Sequence, residues 1–369
     1  MKLEQNRLDY HHHLGYALAT TRIRCIAAVM IGLLLTTSNA MAKGLWVANA
    51  DSNTIAEYEG KLKKPHRVLN DTTDLDGPST VAFHGGNLWV TNFNSNSIFM
   101  YTSKQIKKLK KHVPTPTVII SQDTGANLAG PEGLVFDSSG NMWVGAENGG
   151  VILQYTPSQL AASGNPTPNI ILNIPGGFSS PSHLRFDSAG NLWVSDEDIA
   201  NGNSGFGEVF KFTHTQITAL VAGNNVITPV FGIALNAFAH LETIAFDGGG
   251  NLWVADENGN QIYKFSASDL GGTGLSQNLT PAVVLSTTSV SSGSCNESLG
   301  GPYGLAFNVG GDLFVSNANT PPNAPSGCLG SLAQFSARSI RTTGSPTPKA
   351  FITNGVNSPN ALTFGPTIP

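Results

Sequence analysis

Apolar and polar positions alternate along this chain in one recurring phrase. A short apolar strand ends in Phe, a tight polar turn follows, and a second apolar strand carries Trp. Leu134–Val144 reads LVFDSSGNMWV, Leu184–Val194 reads LRFDSAGNLWV and Ile244–Val254 reads IAFDGGGNLWV. Val81–Val90 is a residue shorter, and Leu305–Val315 has Phe314 in the place of Trp. The first copy, Leu45-Trp46-Val47, lacks the preceding strand, and the last, Leu362-Thr363-Phe364, lacks the following one. The anchors Trp46, Trp89, Trp143, Trp193, Trp253 and Phe314 recur at the period of a four-stranded blade, which predicts an all-β, six-bladed β-propeller. Its blades are expected to be antiparallel. The two incomplete copies should complete one another, closing the ring with N- and C-terminal strands in one blade.

A second phrase follows each anchor. A third strand ends in an aromatic and a hydroxyl residue, then a Pro-rich stretch leads to a fourth strand, as in Tyr155-Thr156 before Pro166-Thr167-Pro168. Proline suits the start of an edge strand, which can spare a donor. The turn residues Asp137, Asp187 and Asp247 are placed to cap their turns, with Gly140, Gly190 and Gly250 in the positive-φ position.

The first 42 residues break the pattern. Arg22 and Arg24 precede an apolar run, Cys25–Leu35, and Ala40-Met41-Ala42 forms a small-x-small cleavage pattern. Residues 1–42 therefore read as a signal peptide with an N-terminal extension carrying His11, His12 and His13, and 43–369 as the propeller. A periplasmic or secreted location is expected. The apolar run is too short to span a bilayer, so no membrane span is expected in the mature chain. In an oxidising compartment the remaining Cys295 and Cys328 are expected to form a disulfide, the alternative being two free thiols.

Composition narrows the function. Charged residues are 12% of the chain and the net charge is −4, which offers no footprint for nucleic acid. The run Lys104–Lys111 reads as a solvated connector, and the acidic stretch Asp196–Gly205 as a loop that could also supply calcium with oxygens. Aligned on the strand-ending Phe, the starts of the inner strands form a ring of Ser79, Glu132, Ser182, Glu242, Tyr303 and Asn360. His183 and His240 lie beside it. Glu132, Glu242 and Asn360 are candidate ligands for a divalent cation, Ca²⁺ or Mg²⁺. His183, His240 and Glu242 are candidate catalytic residues. Arg185 replaces a small residue and is expected to pair with Glu132 or Glu242.

The Gly-Asn-Leu-Trp-Val phrase, the Asp256-Glu257-Asn258 stretch after it, and the Gly-Pro-x-Gly-Leu-x-Phe start of inner strands (Gly130–Phe136, Gly301–Phe307) resemble the NHL-repeat propellers. They also resemble their relatives, the gluconolactonase/senescence-marker family and the streptogramin lyases. The likeness to the gluconolactonases implies a divalent cation held by Glu and Asn side chains. Glu132-Gly133-Leu134 matches that motif, and Glu242-Thr243-Ile244 and Asn360-Ala361-Leu362 match in part. The family's additional turn Asp has no counterpart. The likeness to the lyases implies His and Glu at a channel mouth, which His183, His240 and Glu242 echo. Two functions remain open: a scaffold binding a small molecule or protein on the channel-mouth face, with no cofactor, or a metal-dependent lactonase, esterase or lyase.

Overall fold

A computed structural model describes residues 44–59, 62–71, 74–109, 113–197, 207–234, 240–287, 299–318, 329–353 and 356–365. Residues 1–43, most of the acidic loop, Lys110 and Lys111, and both Cys295 and Cys328 lie outside the described residues, as do the signal peptide expected at the N-terminus and the disulfide expected between those two cysteines.

The chain forms six sheets, one per blade. Their innermost strands are Pro78–His84, Pro131–Phe136, Pro181–Phe186, Leu241–Phe246, Pro302–Phe307 and Pro359–Gly365. These six strands contact one another in cyclic order around a central channel. The blade that closes the ring takes its inner strand from the C-terminal end, and that strand pairs antiparallel with Gly44–Asn49. The closure expected from the two incomplete copies is therefore present.

The anchors explain how the blades hold together. Each packs against the inner-strand Phe of the next blade, edge-on for Trp46 on Phe83, Trp89 on Phe136, Trp143 on Phe186, Trp193 on Phe246 and Phe314 on Phe364, and tilted for Trp253 on Phe307. This circuit runs through all six blades and makes the second strands buried on both faces, so they lack in/out alternation. The turn aspartates serve the same joints. Asp137, Asp187 and Asp247 each accept the indole N–H of the following Trp at 2.9–3.0 Å as well as turn amides. Burial opposes their charge, but those hydrogen bonds outweigh it and hold the Asp187 and Asp247 carboxyls below the usual carboxylate range.

In the third-to-fourth connectors the hydroxyl and glutamine of the second phrase close a capping arrangement. Thr102 with Gln105 and Thr213 with Gln216 form full capping boxes. The glutamine amide then reaches the carbonyl of Thr115 or Thr228 beyond the turn. Lys104 and Lys107 face solvent, as expected of a connector.

Two sheets depart from the four-stranded antiparallel expectation. Gly223–Val226, from one blade's connector, pairs parallel with the edge strand Ile170–Asn173 of the preceding blade, and Gly274–Gln277 does the same to Phe231–Ala234. Single parallel bridges, Ile120 to Gly164 and Leu285 to Gly344, repeat the contact at two more junctions. Each connector thus covers the neighbour's otherwise free edge. The added strands read GNNV and GLSQ, with no alternating hydrophobic pattern to announce them.

Candidate functional site at the channel mouth

Every inner strand carries an irregularity in its second and third residues. Pairing slips between Pro131 and Leu134, for example, and between Leu241 and Ile244. Bulges of this kind re-aim side chains. Here they accompany the ring predicted from the alignment, and Ser79, Glu132, Glu242, Tyr303 and Asn360 line one cavity of about 560 Å³. Glycine permits the close approach of these strands: a Cβ on Gly133 would lie 2.3 Å from the Ser182 carbonyl.

A second tier sits against this ring. In all six blades the residue four places after the anchor donates its backbone N–H to the carbonyl just before an inner strand, as Glu147 does to Gly130, Glu197 to Ser180 and Glu257 to His240. In three consecutive blades that residue is Glu; in the others it is Ala50, Phe93 or Ala318. The mouth is therefore lopsided, with Glu132, Glu147, Glu197, Glu242 and Glu257 gathered on one side. Glu147, Glu197 and Glu257 escaped the sequence reading. Their signal was a fixed spacing from the anchor, Trp-x-x-x-Glu, repeated three times.

The structure brings four of the predicted residues together. Ligand atoms of Glu132, His183 and Glu242 lie within 4.8 Å of one another, as do those of Glu197, His240 and Glu242, and those of Glu132, Glu147 and Glu197. His240 Nε2 lies 3.1 Å from Glu242 Oε1, 3.4 Å from Glu197 Oε2 and 3.9 Å from Glu257 Oε2. The Tyr303 hydroxyl donates to Glu132 Oε1. Asn360 lines the same cavity, and its carbonyl accepts from Ser316 Oγ. A separate acidic group, Glu57, Glu59 and His66, is already served by Arg67, whose Nη1 lies 2.6 Å from Glu57 Oε2.

The electrostatics of the mouth are relieved only in part, by the Tyr303 hydroxyl. Burial pushes the Glu132 and Glu242 carboxyls well above their usual range, and neighbouring carboxylates push them further. Glu197 is pushed up to about 11 by burial, then by the charges of Glu242 and Glu147. Burial first, and the charge of Arg185 second, hold His183 down at about 3, so its imidazole is neutral. Glu132 Oε2, Glu242 Oε2 and His183 Nδ1 are buried with no hydrogen-bond partner. Buried polar atoms without partners are costly, and these three lie together at the mouth.

Arg185 does not provide the relief expected of it. It lies farther along the inner strand, at the opposite mouth, where Nη1 donates to the Leu184 carbonyl. Its position two residues past His183 carries it toward the other end of the channel. Of the acidic stretch from Asp196, the described part is structural or faces the mouth: Asp196 accepts the backbone N–H groups of Ser179 and Ser180, and Glu197 lines the cavity.

No protein-family model matches this chain, and no curated protein does. Solved structures do. A chain of a nidogen/laminin complex is similar at 14% identity and TM-score 0.57, covering 87% of this chain and 97% of that one. A protein of unknown function from Bacteroides caccae is similar at 12% identity and TM-score 0.54, again covering 87% and 97%. Virginiamycin B lyase from Staphylococcus aureus aligns at 14% identity over 87% of this chain and 88% of that one, with a TM-score of 0.48. No helix among the described residues is long and apolar enough to cross a membrane. At these identities the likeness is one of fold, and the fold is a six-bladed β-propeller.

Proposed function

We propose that the channel mouth binds a divalent cation and that the protein is an exported, cation-dependent hydrolase or lyase acting on a small ester or lactone. One observation carries this reading: Glu132 and Glu242 are buried side by side with an unpartnered oxygen each, next to the unpartnered nitrogen of a neutral His183. Isolated charges in such a place are strongly disfavoured unless paired or coordinated to metal. A passive scaffold would call for polar groups that satisfy one another, and here one oxygen each of Glu132 and Glu242 is left over. The nitrogen ligands shift preference from Ca²⁺ or Mg²⁺ toward Mn²⁺ or Zn²⁺.

A bound cation supplies Lewis acidity toward a carbonyl oxygen. The chain's own groups supply the rest. His240 is 28% exposed at the rim, within reach of both solvent and the carboxylates. The Tyr303 hydroxyl orients Glu132. Phe93 and Asn94 also line the cavity, with Asp76 accepting from the Asn94 amide.

The test is metal analysis of purified protein with thermal unfolding. Bound Mn²⁺ or Zn²⁺ should raise the melting temperature, chelator should lower it, and Glu132→Gln should abolish the response. A chelator-insensitive protein with no thermal shift from Ca²⁺, Mg²⁺, Mn²⁺ or Zn²⁺ returns the mouth to a plain binding surface.

A further inference from the structure

We infer that the mouth is built for two divalent cations bridged by Glu242, an inference that rests on the cation-site reading above. Two ligand sets meet there, Glu132 with His183 and Glu242, and Glu197 with His240 and Glu242. Glu242 is the single residue they share. The first set is fully buried on three adjacent inner strands. The second lies nearer the surface, built from the turn after Leu192–Asp196 and the residue before Leu241.

The two oxygens of Glu242 have different surroundings. Oε1 lies 3.1 Å from His240 Nε2, in the outer set, while Oε2 is buried with no partner. A carboxylate has lone pairs enough on two oxygens to serve two ions at once. The histidines also divide. His240 Nε2 is surrounded by carboxylates of the outer group, whereas His183 Nδ1 has no partner and its Nε2 lies 3.4 Å from Thr80 Oγ1. Each site then has one imidazole and two carboxylates, a donor set suited to Mn²⁺, Fe²⁺ or Zn²⁺. The third group, Glu132, Glu147 and Glu197, joins a ligand of each site through Glu147.

Charge points the same way. When ionised, Glu132, Glu147, Glu197, Glu242 and Glu257 carry five negative charges around one channel mouth, and Asp51 and Asp76 line the same cavity. One divalent cation compensates two of these seven charges, and two compensate four. Pairs of ions about 3.5–4 Å apart clamp the attacking and leaving oxygens of a displacement reaction, which favours hydrolysis over elimination at this site.

The experiment is Mn²⁺ loading of the purified protein, with metal content measured after desalting and spin coupling read by electron paramagnetic resonance. Two coupled Mn²⁺ per chain are expected in the unaltered protein. His240→Ala, at a partly exposed position, should retain one uncoupled ion, and His183→Gln should do the same. Glu242→Gln should abolish coupling. One ion per chain in the unaltered protein, or two coupled ions surviving in His240→Ala, overturns the bridged pair while leaving a cation site. No bound ion overturns both.

Discussion

The two mouths of the channel are made by the same six strands and could hardly differ more. At one end every inner strand contributes a Phe, in all six blades, and each Phe is locked to a neighbour's anchor. At the other end the corresponding ring is Ser79, Glu132, Ser182, Glu242, Tyr303 and Asn360, with only glutamate and serine used twice. The repeated end is what the fold requires, because each blade must bury the same joint against the next. The varied end is free of that requirement, so its chemistry is particular to this protein. Where a repeat protein stops repeating is where its function is to be sought.

The most damaging way to break the comparison is to remove both rings at once. Deleting residues 359–369 takes away the inner strand that pairs with Gly44–Asn49 and should abolish cooperative folding, read by circular dichroism melting. A truncated protein that melts like the full chain would refute ring closure as a requirement.

Breaking only the repeated end should cost less. Trp193 is 1% exposed, packs 5.7 Å from Phe246 and donates to Asp187. Trp193→Ala should lower stability by about 3–5 kcal/mol in urea unfolding, with no preference for chelated or loaded protein.

Breaking the varied end should show the opposite sign. The carboxyls of Glu132, Glu197 and Glu242 titrate above their unfolded range because burial favours the neutral form. A raised carboxyl adds stability below its unfolded pKa, and that stability is lost as pH rises toward the folded value. The chelated protein should therefore melt at lower temperature at pH 8 than at pH 5, and added Mn²⁺ should flatten the difference. In chelator at pH 8, Glu242→Gln should stabilise by on the order of 1–3 kcal/mol, since a buried carboxylate with an unpartnered Oε2 is removed. A destabilised Gln variant under those conditions would mean that the contact of Glu242 Oε1 with His240 outweighs the unpartnered oxygen.

The smallest effect is expected at Arg185. It carries the charge at the apolar mouth and its described hydrogen bond is to the adjacent Leu184 carbonyl. Arg185→Met should change stability by about 1 kcal/mol or less and leave cation binding intact. A large loss of metal affinity would tie the two ends of the channel together.

The sequence by itself determined the blade count, the strand order within each blade and the closing strand. Those follow from a local phrase repeated six times, with Phe, turn and Trp at near-fixed spacing. It also placed Glu132, Glu242 and Asn360 in one ring, since residues at the same repeat position must face the same axis. The tertiary structure alone decided what that ring meets. Glu147, Glu197 and Glu257 reach the mouth through backbone hydrogen bonds to a strand start 17 residues earlier in the chain. Arg185 was drawn to the carboxylates by its charge, yet the rise of the strand carries it past them. The parallel edge strands depend on one blade's connector lying along another's edge. Pattern along a chain reports periodicity and burial. Which groups from different blades come within coordination distance depends on how the ring closes, and no local signal carries that.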